Sequence, residues 1–545
     1  MTVRSSCHTI HAPGCELRSR SRPRRSANSR SVWCAAAIAA GFAAQGLAAA
    51  EPALPPAGPV LTPILTPILT IDGVPGRRLV VDTPAARGAT PFAVTPRTLY
   101  LNRCRGGCVI SRGDNDAHNH VSSIPNSTAI TPGPSFTVSE YRDAANRTGT
   151  GADPEWGQLV QCMQQVYSPY NLTVTDVQPA GAGYNEAIIA GTPNEIGQSQ
   201  DVLGVAPLAS DCSAIGNVLS FSFANAHGNI DRVDNICWTA AQESAHAYGL
   251  DHEYSFTSGN PTNQHSACND PMTYRNDCGG QKFFRNDFAN CGETGNRDCR
   301  CTATQNSHLK LLSVFGPSAA PPIVPAPAAT LGSPAQTDAL LGPTVVVTAG
   351  GPRGVAHVEL DFNGFQWVDA PGAMFATRGQ PNPSTYTIMV PSSLPNSIVD
   401  VKAIAYDDLG TAAATTSVTV TKGAPCTAAT ACARYQKCDT GRCLWDAPIG
   451  EIGDTCAYPQ FCKSGICTGT ADQPICTQAC IPGYVGCPAG LECVGNGSGS
   501  GMCLVSTGGC CSVDRDDGRW WLPVGLGLAV LGLVRRSRRS RRSRR

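Results

Sequence analysis

The stretch Gln242-Glu243-Ser244-Ala245-His246-Ala247-Tyr248-Gly249-Leu250-Asp251-His252 is followed, from residue 270, by Asp270-Pro271-Met272-Thr273-Tyr274. Residues 234 to 250 read as a helix that stops at Gly249, a residue suited to the left-handed backbone of a helix C-terminus. On that helix Gln242 and His246 lie one turn apart on one face, with Glu243 beside them. A sharp turn at Gly249 lets His252 swing back toward the same point. Two imidazoles and one amide can then converge on a cation, next to a carboxylate able to take a proton from water. E-x-x-H alone is common by chance on an amphipathic helix. Gly249, His252, Met272 and Tyr274 at their offsets make chance the poorer account.

These residues resemble the metzincin clan of zinc metallopeptidases, whose motif is H-E-x-x-H-x-x-G-x-x-H with a downstream Met-turn. Glu243, His246, Gly249 and His252 match that motif and Met272 matches the Met-turn; Tyr274 stands where astacin-like and serralysin-like members carry a tyrosine. The resemblance implies an α+β metzincin-like domain with one catalytic Zn2+ held by His246, His252 and Gln242. It implies Glu243 as general base and later proton donor to the leaving amine, Met272 as a hydrophobic floor, and Tyr274 as metal ligand or oxyanion stabiliser. The implied reaction is hydrolysis of peptide bonds in extracellular proteins, with protein or peptide substrates as partners. Gln242 departs from the pattern, since it occupies the place of the family's first histidine and its neutral amide oxygen is a harder ligand than imidazole. Three outcomes stay open: weak zinc binding through Gln242, a substitute ligand such as His227, or a domain that has lost metal and activity and acts as a surface binding or adhesion protein.

Outward from the motif, residues 95 to 315 form the expected metallopeptidase-like domain. Trp156, Leu159, Val160, Met163, Val166 and Tyr167 recur at helical spacing, and residues 171–176, 184–191 and 219–223 read as strands. Pro- and Ala-rich residues 51–94 read as a linker or pro-segment, and 316–343 as a second Pro-rich linker. From 344 to 422 short alternating segments separated by Gly, Pro and Asn turns point to an all-β immunoglobulin-like sandwich, most simply a spacer. His118 and His120 make an H-x-H pair that could hold a metal, although Asp114 and Asp116 beside them suit a solvated loop. No Gly-rich phosphate loop and no G-x-S-x-G elbow occurs, so nucleotide use and serine hydrolysis have no support.

The 41 Lys plus Arg balance 41 Asp plus Glu, but seven Arg precede residue 31 and eight lie in 535–545. Setting those and Glu16 aside leaves 26 basic against 40 acidic residues, a body of net charge −14. Such a body excludes a basic nucleic-acid binder. Residues 1–50, basic and then Ala-rich, read as a secretory signal peptide. Residues 508–545 combine Cys510 and Cys511, an acidic spacer, an apolar run expected to be a helix and an Arg tail. They resemble the C-terminal sorting signals of myxobacterial surface proteins, which implies membrane contact before processing, with Cys510 and Cys511 as sorting or lipidation candidates. A plain C-terminal anchor is the alternative; either places the body outside the cytoplasm, at the cell surface or outer membrane or beyond it.

Of the 27 Cys, 22 remain once Cys7, Cys15, Cys34, Cys510 and Cys511 are set aside, ten between Cys104 and Cys301 and twelve in a module spanning 426–503. Even sets in an exported chain read as disulfides. In the module the spacing Cys432-x5-Cys438-x4-Cys443 recurs as Cys456-x5-Cys462-x4-Cys467. No His and no paired C-x2-C occurs there, so zinc knuckles are disfavoured.

Overall fold

Leu99 and Leu101 face one side of their strand and Tyr100 the other, and each side meets a different core. The computed structural model describes residues 70–71, 74–75, 77–83, 96–125, 134–181, 183–254, 269–274, 281–293, 296–372, 382–470, 473–481, 486–495 and 501–505. The expected signal peptide, the sorting segment with Cys510 and Cys511, and its apolar run lie outside these residues. Among the described residues no helix is long and apolar enough to cross a membrane. The chain is a multidomain, β-rich protein of several small sheets, few helices and many disulfides.

The first domain is built on a six-stranded sheet. Its strands are β1 (Arg77–Thr83), β2 (Thr98–Asn102), β3 (Thr173–Thr175), β4 (Asn185–Ile189), β5 (Val202–Ala209) and β6 (Leu219–Ser222). They lie in the order β1-β5-β6-β4-β2-β3, with β5 antiparallel to β6 and every other neighbour parallel. Helices α1 (Asp153–Tyr167), α2 (Arg232–His246) and α3 (Ser307–Phe315) bury Trp156, Met163, Ile236, Ala241 and Leu311 with Leu99 and Leu101. On the opposite face Tyr100, Ile188 and Phe221 pack with Ile110, Phe136 and Val138 of a three-stranded sheet. Cys162–Cys237 pins α1 to α2, and Cys212–Cys301 ties the loop after β5 to the approach to α3.

Strand β1 comes from residues expected to be linker or pro-segment. Leu79-Val80-Val81 is a local apolar run with two β-branched residues inside a Pro-rich context, and its strand joins the sheet by pairing in parallel with β5.

The second domain packs two antiparallel sheets around one core that includes Val345, Val347, Val358, Leu360, Val399 and Val401. One sheet holds β7 (Ala328–Ser333), β8 (Thr344–Gly350) and β11 (Ser384–Met389); the other holds β9 (His357–Phe362), β10 (Phe365–Pro371), β12 (Ser397–Tyr406), β13 (Ala412–Ala414) and β14 (Val418–Lys422). Strand β7 lies inside the expected linker 316–343; Pro327 and Pro334 flank it, which an edge strand tolerates. Strand β10 carries a legible sequence signal. Asn363 and Gly364, at φ 55° and 82°, form the two-residue turn between Phe362 and its partner Phe365.

Two buried arginines and one carboxylate join the two domains. Asp408 receives Arg353 Nη2 at 2.7 Å and Arg285 Nη1 at 3.3 Å, and Arg353 also donates to the Phe284 carbonyl at 3.0 Å. The sandwich is therefore docked on the first domain by desolvated charges, a tighter relationship than a spacer requires.

In the Cys-rich module each group of four cysteines pairs first with third and second with fourth. The pairs are Cys426–Cys438 with Cys432–Cys443, Cys456–Cys467 with Cys462–Cys476, and Cys480–Cys493 with Cys487–Cys503. The true repeat thus begins at Cys426, Cys456 and Cys480, one cysteine ahead of the register that spacing suggested for the first unit. In the first domain Cys104–Cys108 and Cys291–Cys299 complete the described bridges. This density of cross-links fits an extracellular or secreted protein.

Candidate functional site

Helix α2 is a core helix whose residues from Asn235 to His246 are all buried. Its C-terminus follows a Schellman pattern: Leu250 N–H donates to the Ala245 carbonyl and Gly249 N–H to that of His246, with Gly249 at φ 89°. A Cβ on Gly249 would stand 2.1 Å from the Cys212 carbonyl oxygen, so both conformation and space require glycine. The turn redirects the chain and brings His252 back beneath the helix, as the motif predicts.

His246 Nε2 and His252 Nε2 lie 3.0 Å apart. Both rings are buried and meet nearly edge to face, with centroids 4.6 Å apart. His246 Nδ1–H donates to the Leu250 carbonyl at 2.7 Å, and His252 Nδ1–H to Glu293 Oε1 at 2.9 Å. Each outer bond fixes its proton on Nδ1 and leaves Nε2 as a lone-pair donor aimed at the other ring. Burial, and then the second ring, push His246 down to about 3, so an imidazolium is disfavoured there. A shared cation would resolve the contact. Two nitrogens at ~2.0–2.1 Å from a tetrahedral zinc stand about 3.3 Å apart, close to the spacing found.

Gln242 Nε2 donates to the Met272 carbonyl at 2.9 Å, which orients the amide. Its Oε1 is buried and has no hydrogen-bond partner among the described residues. An orphaned buried acceptor one turn before His246 suits a cation ligand. Glu243 is fully buried against β5 at Gly204, where a Cβ would meet its Oε1 at 2.4 Å and its Cγ at 2.6 Å. His227 is buried just after the turn Ala224–Ala226, and its carbonyl accepts from Arg232.

Met272 is wholly buried, its N–H donating to Asp270 Oδ1 at 2.8 Å; Asp270 Oδ2 in turn accepts from Arg285 N–H at 2.7 Å. The turn under the histidines is thereby linked through Arg285 to Asp408 of the sandwich. The Tyr274 ring lies edge-on to His252 with centroids 4.9 Å apart.

Glu293 and Arg297 are absent from the motif, and Asp251, though inside it, has no role assigned by the sequence. Arg297 bridges Asp251 Oδ2 at 2.6 Å and Glu293 Oε1 at 2.8 Å. The hydrogen bonds from His252 and Arg297 hold the Glu293 carboxyl down at about 2, so it remains an acceptor. The loop that carries Glu293 is closed by Cys291–Cys299 and strapped on by Gly292 N–H to the His252 carbonyl. Only that close Cys pair hinted at it. His118 and His120 part company: His118 is exposed, while His120 Nδ1 lies 3.4 Å from the buried Glu186. The clustered cysteines of the module are disulfide-bonded and offer no metal site.

No protein-family profile and no curated protein matches the chain. Among solved structures, the Clostridium thermocellum CbhA fibronectin(III)-like modules align at 17% identity and a TM-score of 0.13, over 18% of this chain and 96% of theirs. Wild-type OgpA from Akkermansia muciniphila aligns at 11% identity and a TM-score of 0.12, over 64% of this chain and 95% of its own. Scores this low assign neither fold nor chemistry.

Proposed function

We propose that the first domain is a metzincin-type zinc metallopeptidase, exported to the cell surface or beyond, that hydrolyses peptide bonds of extracellular proteins. The observation that carries this reading is the pair of buried imidazoles with facing Nε2 atoms and outward-held Nδ1 protons. His246, His252 and the Gln242 carbonyl oxygen are the donor set. The chemistry a zinc ion would supply there is polarisation of the scissile carbonyl and activation of water. Glu243 takes the proton of the attacking water on its carboxylate and returns it to the leaving amine. Tyr274, whose ring packs edge-on to His252, would either ligate the resting metal or donate its phenol to the oxyanion. Met272 floors the site, and its carbonyl holds Gln242.

Gln242 itself favours a second reading, a catalytically inactive homologue that serves as a surface binding protein. Zinc content and cleavage of denatured casein by the purified protein separate the two. Cleavage that disappears in Glu243→Ala while zinc stays bound supports the enzyme. A protein that neither binds zinc nor cleaves casein with zinc added supports the binding protein.

A further inference from the structure

Between the sandwich and the Cys-rich module lies an open cleft of about 370 Å³, lined by aromatic rings. Trp367 comes from strand β10 of the sandwich, Tyr435 and Trp445 from the first disulfide unit and its exit, and Tyr458 from the second unit. Tyr435 and Tyr458 stack at 4.6 Å and 17°, and Trp367 meets Trp445 at 5.3 Å. The walls are fixed to one another. Arg442 pairs with Asp400 at 3.1 Å, Asn363 Nδ2 donates to the Cys443 carbonyl at 3.3 Å, and Ile398 N–H donates to Gly441 at 2.9 Å. Tyr435 nonetheless stays 44% exposed among these contacts, aromatic surface that the cleft leaves open to solvent.

The geometry points to a binding site for a neutral carbohydrate chain. The remaining lining decides the class of ligand. Gln366, Gln460 and Ser393 both donate and accept hydrogen bonds, which matches sugar hydroxyls that do the same. Arg434 places its guanidinium 4.7 Å above the Tyr435 ring, and no carboxylate is among the described lining residues, so an ammonium ligand would be repelled where an aromatic cage would need to attract it. A proline-rich peptide offers acceptors with few donors and would leave half of the amide rim unmet. A pyranose ring has an apolar C–H face for stacking and a polar edge for the rim. The cleft volume is at the low end of small-ligand sites, ~300–1,000 Å³, and suits about one or two such rings of a longer chain. This site is independent of the peptidase reading and would hold the first domain against a glycan-coated surface.

Native electrophoresis of the full chain through gels containing xyloglucan, galactomannan or dextran tests the proposal, with tryptophan fluorescence read against decaproline in parallel. Retardation by at least one polysaccharide is expected. Tyr435→Ala should weaken it about fivefold or more, the cost of losing one aromatic contact of the hot-spot kind, and Tyr435→Phe should preserve it. Unchanged melting temperature of both variants excludes a folding defect, because Tyr435 is exposed. Migration indifferent to all three polysaccharides overturns the proposal, as does retardation that Tyr435→Ala leaves intact. A fluorescence response to decaproline alone reassigns the cleft to a peptide.

Discussion

His246 and His252 present their Nε2 atoms to each other at 3.0 Å while their Nδ1 protons are committed to the Leu250 carbonyl and the Glu293 carboxylate. Two lone pairs held face to face in a buried site repel unless something positive lies between them. The surrounding structure imposes this arrangement through the Schellman turn at Gly249 and the Cys291–Cys299 loop that carries Glu293.

On the peptidase reading, the weak member of the donor set is Gln242. Replacing its amide with imidazole in Gln242→His keeps a side chain at the same helical position and supplies a nitrogen donor that suits zinc better. Isothermal titration with zinc should show affinity rising about tenfold or more, even though the bond to the Met272 carbonyl is altered. An unchanged affinity would place the third ligand elsewhere, and His227→Ala in the same titration identifies or eliminates His227.

Gly204 is the second sensitive point. A Cβ there would press on Glu243 Oε1 and Cγ in a region with no exposed surface to yield into. On the peptidase reading, Gly204→Ala displaces the general base without touching a metal ligand. We expect kcat/KM to fall about 10- to 100-fold, as for displacement of a catalytic group by a fraction of an ångström, with zinc affinity unchanged. A variant with parental turnover would show that Glu243 does not act from its position against β5.

Strand β1 pairs Arg78 with Gly204, so residues before Thr95 cover the outer edge of the very strand on which Glu243 rests. A sheet edge of this kind is a place for an extended peptide to add as a strand. Removing residues 51–94 should expose it and raise casein cleavage several-fold at unchanged zinc content. If cleavage instead falls together with melting temperature, β1 is an integral strand of the domain.

Much of the local structure was legible because it depends on short-range patterns. Trp156 to Tyr167 announced α1 by spacing alone, and Gly249 announced the end of α2 because few other residues accept its backbone. The partners of the site were not legible, since they arrive from far along the chain. Glu293 lies 41 residues from the histidine it orients, and Asp408 lies 123 residues from Arg285. Neither Gly204 nor Glu293 belongs to a motif; their roles follow from which strand and which loop pack against α2, and strand order β1-β5-β6-β4-β2-β3 departs from chain order at three of its five steps. The short run that forms β1 sits between Pro75 and Pro84, so the average composition of its surroundings conceals its strand propensity.

Glu186 provides the last test, away from the histidine site. Its side chain is fully buried on β4, where Asn102 Nδ2 donates to Oε1 at 2.7 Å and Oε2 has no partner among the described residues. Burial pushes the carboxyl up to about 8, and the Asn102 bond only partly opposes it. His120, 3.4 Å away, is itself held below its usual value by burial and by His118, so it is a poor source of compensating charge at neutral pH. Tyr100 and Tyr184, the other titratable groups nearby, are raised and stay neutral in this range. The folded state therefore keeps a proton on Glu186 that the unfolded chain releases near pH 4.5. Its stabilising effect is complete below that value and is lost as pH rises toward about 8, because the unfolded state binds fewer protons throughout the interval. Glu186→Gln retains the oxygen that accepts from Asn102 and removes the titration. Urea unfolding should show this variant gaining roughly 2–4 kcal/mol over the parent between pH 5 and pH 8, with little difference at pH 4. Parallel pH profiles for the two proteins would mean that Glu186 ionises normally in the fold and that the space around Oε2 is wet.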